Sequence, residues 1–239
     1  KKDKKEEKDK KDEKDEKDEK DKKDGKDKKD GKNGKDIRIP DSFTTIPTDY
    51  LNNREIIESI FIPNSVVMIE SNAFSSCISL KIINIPPSVK FIGNDVFKNC
   101  VSIARIDIPD SVISIGVGAF SKCKKLTYIK LSSSLANINN KTFAKCYSLK
   151  SIDIPGSISS IGKDAFSRCK ELENIKISSS LTDIKSGAFN KCYSLKSIRV
   201  PDSVSKLGKR IFCECKSLEN VILSSNINSL KKGMFFDCK

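Results

Sequence analysis

The chain is 239 residues long and carries 45 Lys or Arg against 32 Asp or Glu, a formal net charge of +13. It has no His and no Trp, so the commonest general base and the commonest metal ligand are both missing. No apolar run is long enough for a spanning helix, and no secretory leader is visible, although the chain begins at Lys1 rather than Met.

Residues 1–36 contain 17 Lys and 15 Asp or Glu, punctuated by Gly25, Gly31 and Gly34, and no apolar side chain. A segment with nothing to bury cannot offset the entropy of ordering, so a disordered, solvated spacer is expected, with a charged docking tail as the sharper reading. Its near-neutral, closely mixed charge limits long-range attraction for nucleic acid. Gly31-Lys32-Asn33 lacks the spacing and the hydroxyl of a phosphate loop, and the Asp-Gly pairs at 24–25 and 30–31 lack the ligands of a calcium loop. Residues 37–239 hold 28 Lys or Arg against 17 Asp or Glu, so this part carries +11.

From residue 37 the chain repeats. Cys77, Cys100, Cys123, Cys146, Cys169, Cys192, Cys215 and Cys238 follow one another at intervals of 23 residues. Between them runs Cys-x-x-Leu-x-x-Ile-x-Ile-Pro-x-Ser-Val-x-x-Ile-Gly-x-x-Ala-Phe-x-x. A period of 20–29 residues with this apolar core predicts a leucine-rich-repeat solenoid. The fold class expected is an α/β-type but mostly β stack, right-handed, with one main parallel sheet, a second short-strand ladder and single helical turns at one corner. Residues 37–54 fit the slots with Ile37, Ile39, Phe43, Ile46 and Leu51 but place Arg54 where Cys belongs, so they read as an N-terminal cap. Residues 55–239 then supply about eight repeats.

Within a unit, Ile-x-Ile alternates at period two, as at Ile83 and Ile85, and reads as a short strand with its apolar side chains inward. Pro at 63, 86, 109, 155 and 201 ends it, having no donor for a ladder. Ser65, Ser88, Ser111, Ser134, Ser157, Ser180, Ser203 and Asn226 share the next turn and are expected to form a buried polar ladder. Val89-x-x-Ile92 suggests the second short strand. Val96, Phe97, Cys100 and Ile103 have helical spacing, so one helical turn is expected between residues 94 and 103. Phe74, Phe97, Phe120, Phe143, Phe166, Phe189, Phe212 and Phe235 occupy one slot and should stack as an aromatic spine.

The segment Leu149–Cys169, Leu-Lys-Ser-Ile-Asp-Ile-Pro-Gly-Ser-Ile-Ser-Ser-Ile-Gly-Lys-Asp-Ala-Phe-Ser-Arg-Cys, resembles the unit of the BspA-like leucine-rich repeat family, also called the Treponema pallidum type. The joint Pro, Ala-Phe and Cys slots carry the resemblance across residues 37–239. Alternate units depart from it: Ser132, Ser178 and Ser224 replace Pro, and Asn139, Lys185 and Lys231 replace Gly. A pair of 46 residues is therefore expected as the unit of duplication. The resemblance implies an adhesin of the kind carried on the surfaces of host-associated bacteria and anaerobic protists, binding host matrix proteins or other microbes. It carries over no functional residue.

Eight of the nine Cys fill one inward slot with parallel Cβ directions, which argues for buried free thiols rather than bridges. Cys213 departs from the slot and is expected to be semi-exposed, and reactive if its surroundings lower its pKa. Tyr147 and Tyr193, just after Cys, are expected to cover a corner edge. Asn140-Lys141-Thr142 is a glycosylation acceptor pattern.

The outward side of the main sheet is the default binding surface of a solenoid. Its candidate ligand-binding residues are Arg105, Asp107, Tyr128, Lys130, Asp153, Lys176 and Arg199. Alternating signs from strand to strand also suit plain cross-strand charge pairing. No catalytic residue, metal ligand or cofactor is expected. The partner classes are proteins, host matrix or surface proteins first. An intracellular scaffold is the main alternative, which the buried thiols and missing leader suit, and polyanion (glycosaminoglycan) binding through the basic solenoid is the third. The C-terminal repeat has no polar cap, so an end-to-end self-association or a truncated chain is also expected.

Overall fold

The computed structural model describes residues 35–238. The expectations for residues 1–34 lie outside the described residues.

Each coil contributes one three-residue strand to the main ladder: β1 (Asp36–Arg38), β3 (Ser59–Phe61), β5 (Ile82–Asn84), β7 (Arg105–Asp107), β9 (Tyr128–Lys130), β11 (Ser151–Asp153), β13 (Asn174–Lys176), β15 (Ser197–Arg199) and β17 (Asn220–Ile222). The middle residue points inward and its neighbours outward, as in Ile106 between exposed Arg105 and Asp107. A two-residue strand follows in all but the last: β2 (Thr45–Ile46), β4 (Met68–Ile69), β6 (Phe91–Ile92), β8 (Ser114–Ile115), β10 (Asn137–Ile138), β12 (Ser160–Ile161), β14 (Asp183–Ile184) and β16 (Lys206–Leu207). All pairs are parallel and offset by one repeat, for example Ile106 with Ile129 and Ile138 with Ile161. The result is a parallel β-solenoid.

The main sheet is hydrogen-bonded in segments rather than continuously: β1-β3-β5, β7-β9, β11-β13 and β15-β17. From β7 onward the bonded pairs recur every 46 residues, and in each the first coil has Pro after its strand and the second has Ser. In two of the three pairs a carboxylate staples the coils together. Asp110 accepts from Ser133 N at 2.8 Å and Ser133 Oγ at 2.9 Å, and Asp202 accepts from Ser225 N at 2.8 Å and Ser225 Oγ at 3.0 Å. Gly156 takes the Asp position in the middle pair.

The second ladder breaks between β8 and β10. Elsewhere the residue after the short strand sends its N–H back one coil, as Gly116 does to Ile92 O at 2.8 Å and Gly162 to Ile138 O at 2.7 Å. The glycine allows that approach: a Cβ on Gly162 would lie 2.6 Å from Asn139 C. Asn139 stands in the same slot with a side chain, and it is the side-chain Nδ2 that reaches Ile115 O, at 2.7 Å. Lys185 nevertheless keeps its backbone bond to Ile161 O, at 2.9 Å.

The expected helical turn is not formed; the corner is a run of turns, and no helix occurs among the described residues. The reason lies in where the amides point. Between Asp95 and Cys100 the N–H groups of Asp95, Phe97 and Asn99 donate forward to Val117, Ala119 and Ser121 of the next coil at 2.8–2.9 Å. Lys98 and Cys100 instead close tight turns onto Asp95 O and Phe97 O. Asp95 and Asn99 have φ of 53° and 61°, incompatible with a right-handed helix. An α-helix would have kept these amides within the coil and broken the ladder between coils.

The core fills with stacked like residues. Rings from Phe74 to Phe235 follow one another at 5.3–5.8 Å, and from Phe97 onward their planes lie within 17°. Beside them, each Cys of the 23-residue row donates its thiol to the carbonyl one coil back, as Cys146 Sγ does to Phe120 O at 3.1 Å. Cys77 uses Leu51 O, because Leu51 fills the Phe slot of the cap. No Cys among the described residues is bridged. Burial pushes these thiols up, Cys77 to about 11 and Cys100 to Cys192 well above the usual range.

Two further expectations are corrected. Cys213 is buried, at 6% exposure, because it lies in the turn run where strand alternation does not apply. The polar slot does not form a continuous buried ladder: Ser134, Ser157, Ser180 and Asn226 are exposed, Ser111 and Ser203 bond backbone carbonyls, and Ser65 and Ser88 have buried Oγ atoms without a partner. Where Ser replaces Pro, Ser132 and Ser224 are buried, with Ser132 donating to Val112 O at 2.6 Å.

Candidate protein-binding face

The outward residues of the odd-numbered strands form two parallel rows. One reads Arg38, Phe61, Asn84, Asp107, Lys130, Asp153, Lys176, Arg199, Ile222; the other Asp36, Ser59, Ile82, Arg105, Tyr128, Ser151, Asn174, Ser197, Asn220. Strand alternation puts them there: the residues between them must face the core, so these cannot. All seven residues named from the sequence stand on this face. The structure brings Arg105 and Tyr128 together, with the guanidinium 3.9 Å from the ring centroid. Arg38 covers Phe61 in the same way at 4.2 Å, a second stack that the sequence reading missed. An exposed cation over an aromatic face gains roughly 0.5–1 kcal/mol and holds both side chains in place.

The alternating charges do not pair as expected. Asp107 is in register with Lys130, and Asp153 with Lys176, yet among the described residues neither couple closes an ion pair. Exposed pairs gain little in water, and a long Lys keeps more freedom by extending. Pairing is found at the edge of the face, where Glu58 contacts Lys35 at 3.0 Å and Lys81 at 2.9 Å. Hydrogen bonds from Lys81 and then Lys35 hold the Glu58 carboxyl below the usual range.

Two open depressions adjoin on the face. The larger, about 740 Å³, is bounded by Asp153, Lys176 and Arg199 with Ser151, Asn174, Ser197 and Asp202. The smaller, about 410 Å³, lies around Tyr128 and Lys130 and shares Asp153 and Lys176. Five of the seven candidates line them; Arg105 and Asp107 do not. Asp202 was missed, though the recurrence of Pro-Asp at 109–110 and 201–202 was a signal for it. Its carboxyl is held below the usual range by the backbone and then the side-chain hydrogen bond from Ser225.

The face can offer both signs of charge, amides, hydroxyls and an aromatic ring to an extended partner. Among the described residues no group of three His, Cys, Asp or Glu is placed to hold a metal ion. The Asn140-Lys141-Thr142 triplet is engaged in the corner: Asn140 Oδ1 accepts from Lys163 N at 2.7 Å, and buried Thr142 donates to Asn139 O.

Comparison with known proteins accords with this architecture. The chain matches the family described as BspA type leucine rich repeat region over residues 44–158 and 136–239, in 6 copies. A leucine-rich repeat protein from Bacteroides ovatus is 35% identical with a TM-score of 0.80, over 85% of this chain and 52% of that one. The leucine-rich repeat protein of T. pallidum is 32% identical with a TM-score of 0.54, over 69% of each chain. One from Eubacterium ventriosum, 21% identical over 85% of this chain and 64% of that one, shares the fold with a TM-score of 0.54. The chain thus spans about half the length of the Bacteroides protein. No curated protein matches. Repeat units and overall identity agree, and the chain belongs to the BspA-type leucine-rich repeat family.

Proposed function

We propose that the chain is a non-catalytic protein-binding module of cell-surface adhesion type, which engages a host matrix or surface protein through the outward face of the main sheet, with residues 1–36 as a charged spacer. The observation that carries the reading is the run of outward side chains from Tyr128 to Arg199, where two open depressions share Ser151, Asp153 and Lys176 across β9, β11, β13 and β15. Tyr and Arg, like Trp, are enriched among the residues that anchor protein interfaces, and the Arg105–Tyr128 stack presents both side by side. The resemblance to surface adhesins supports the setting. Absence of disulfides among the nine Cys suits the second reading, an intracellular scaffold in a reducing compartment.

Antibody labelling of intact cells separates the two settings. Binding is tested with purified matrix glycoproteins in surface plasmon resonance, comparing the wild type with the Arg105→Ala, Tyr128→Ala double variant. The affinity is expected to fall at least tenfold with the melting temperature nearly unchanged. Unchanged affinity for a partner that binds the wild type moves the site off this face.

A further inference from the structure

The positive charge of the solenoid is not spread evenly. Residues 116–125, 139–148, 162–171, 185–194 and 208–217, the turn corners of five successive coils, hold 13 Lys or Arg against three Asp or Glu. Nearly all of the +11 carried by residues 37–239 therefore sits on one edge of the stack. The Phe spine beneath advances by 5.3–5.8 Å per coil from Phe120 to Phe212, so equivalent side chains on this edge recur in rows along the stack.

The row directly after Cys reads Lys124, Tyr147, Lys170, Tyr193, Lys216. The Lys170 ammonium lies 4.6 Å from the Tyr147 ring centroid and the Lys216 ammonium 5.6 Å from that of Tyr193. Each ring thus seats the cation of the following coil through its negative face. The edge is not purely cationic: Asp164, Glu171 and Glu214 lie on it, and Glu214 meets Lys191 at 3.7 Å with both side chains only 11% exposed. Lys125, Lys141, Lys163, Lys170 and Lys216 are exposed.

We propose that this corner stripe binds a linear sulfated polysaccharide laid along the solenoid axis, at a site separate from the protein-binding face. Cations recurring along the stack match a chain with anionic groups repeated along its length, and release of its counterions supplies the driving force, as for other polyanions. Single-stranded nucleic acid is the less favoured ligand. It gains from stacking bases on open aromatic faces, and here one face of Tyr147 and one of Tyr193 already carry an ammonium group.

The test is heparin-affinity chromatography and calorimetry on the full chain, with desulfated heparin and polyuridylate as comparison probes. Lys124→Glu, Lys170→Glu, Lys216→Glu removes the row, and Lys130→Glu, Lys176→Glu, Arg199→Glu makes the same change in net charge on the main-sheet face. The corner variant is expected to bind heparin at least tenfold more weakly, and by the scale for single strands its log–log salt slope should shrink by about two. The face variant is expected to keep most of its heparin affinity, and desulfated heparin to bind weakly. A Lys→Gln version of the corner variant, with a wild-type melting temperature, must show the same direction of change. Equal losses in the two charge-reversed variants, an unaffected corner variant, or polyuridylate binding as tight and as corner-dependent as heparin each overturns the proposal. The matrix-protein affinity of the corner variant reports separately on the main-sheet face.

Discussion

Replacing Phe143 by Ala removes one ring from the middle of the spine. The side chain is fully buried, with Phe120 at 5.6 Å on one side and Phe166 at 5.3 Å on the other. A Phe→Ala change in a close-packed core costs about 3–5 kcal/mol through lost transfer energy and the cavity left behind. Two aromatic contacts vanish with it, each adding about 0.5–1.5 kcal/mol beyond buried area, which places the expected loss in the upper half of that range. Collapse cannot relieve it, because the coils are tied at the same level: Phe143 N bonds Ala165 O at 2.8 Å and Phe120 N bonds Thr142 O at 2.9 Å. For a domain of about 200 residues each kcal/mol lowers Tm by about 2–4 °C, so a drop of roughly 8–20 °C is expected by far-ultraviolet circular dichroism. Phe143→Leu, which keeps much of the volume, should lose less than half as much. A Phe143→Ala melt within about 2 °C of wild type refutes the stacked-spine account.

Gly162→Ala should destabilise by about 1–3 kcal/mol, because the added methyl meets the backbone of Asn139 and Asn140 at 2.6 Å. Gly156→Ala, with nothing within 4 Å of its Cβ position, should leave the urea midpoint unchanged; equal effects of the two would sink the close-approach argument. The thiol row predicts a stability that falls at alkaline pH. Burial keeps protons on Cys100, Cys123, Cys146, Cys169 and Cys192 that the unfolded chain releases above about pH 8.5. Stability is therefore intact below that pH and declines as pH rises toward the folded values, by about 1.4 kcal/mol per pH unit for each such thiol. Urea midpoints from pH 7 to 10 should fall steeply in the wild type and less steeply in Cys146→Ala; a flat profile contradicts the assignment. Thiol titration of the native protein should label Cys238, the half-buried member, first, and the other eight after unfolding.

The Phe and Cys rows were legible because a solenoid turns sequence period into spatial stacking: position 97 and position 120 must meet the same environment, so one residue type suits both. The 46-residue pairing was legible for the same reason, and it reappears in the bonding of β7 to β9, β11 to β13 and β15 to β17. The face residues Arg105 and Tyr128 could be placed from alternation alone. Their cation–π contact could not, since it depends on rotamers in adjacent coils. Helical spacing at Val96, Phe97, Cys100 and Ile103 misled, because a run of tight turns brings the same positions to one side. The exposure expected for Cys213 failed on the same ground, that alternation was extended into a segment that is not a strand.

From the amino-acid order come the period, the inward and outward positions of each strand, the concentration of Lys and Arg in five turns, and the identity of the stacked rings and thiols. These are properties of one coil and its copies, and a periodic chain states them locally. The destination of each amide was decided only in three dimensions. Whether Phe97 N bonds within its own turn or to Ala119 O one coil away depends on a neighbour 22 residues distant. That choice turns the corner from helix to turns and brings Lys170 over Tyr147.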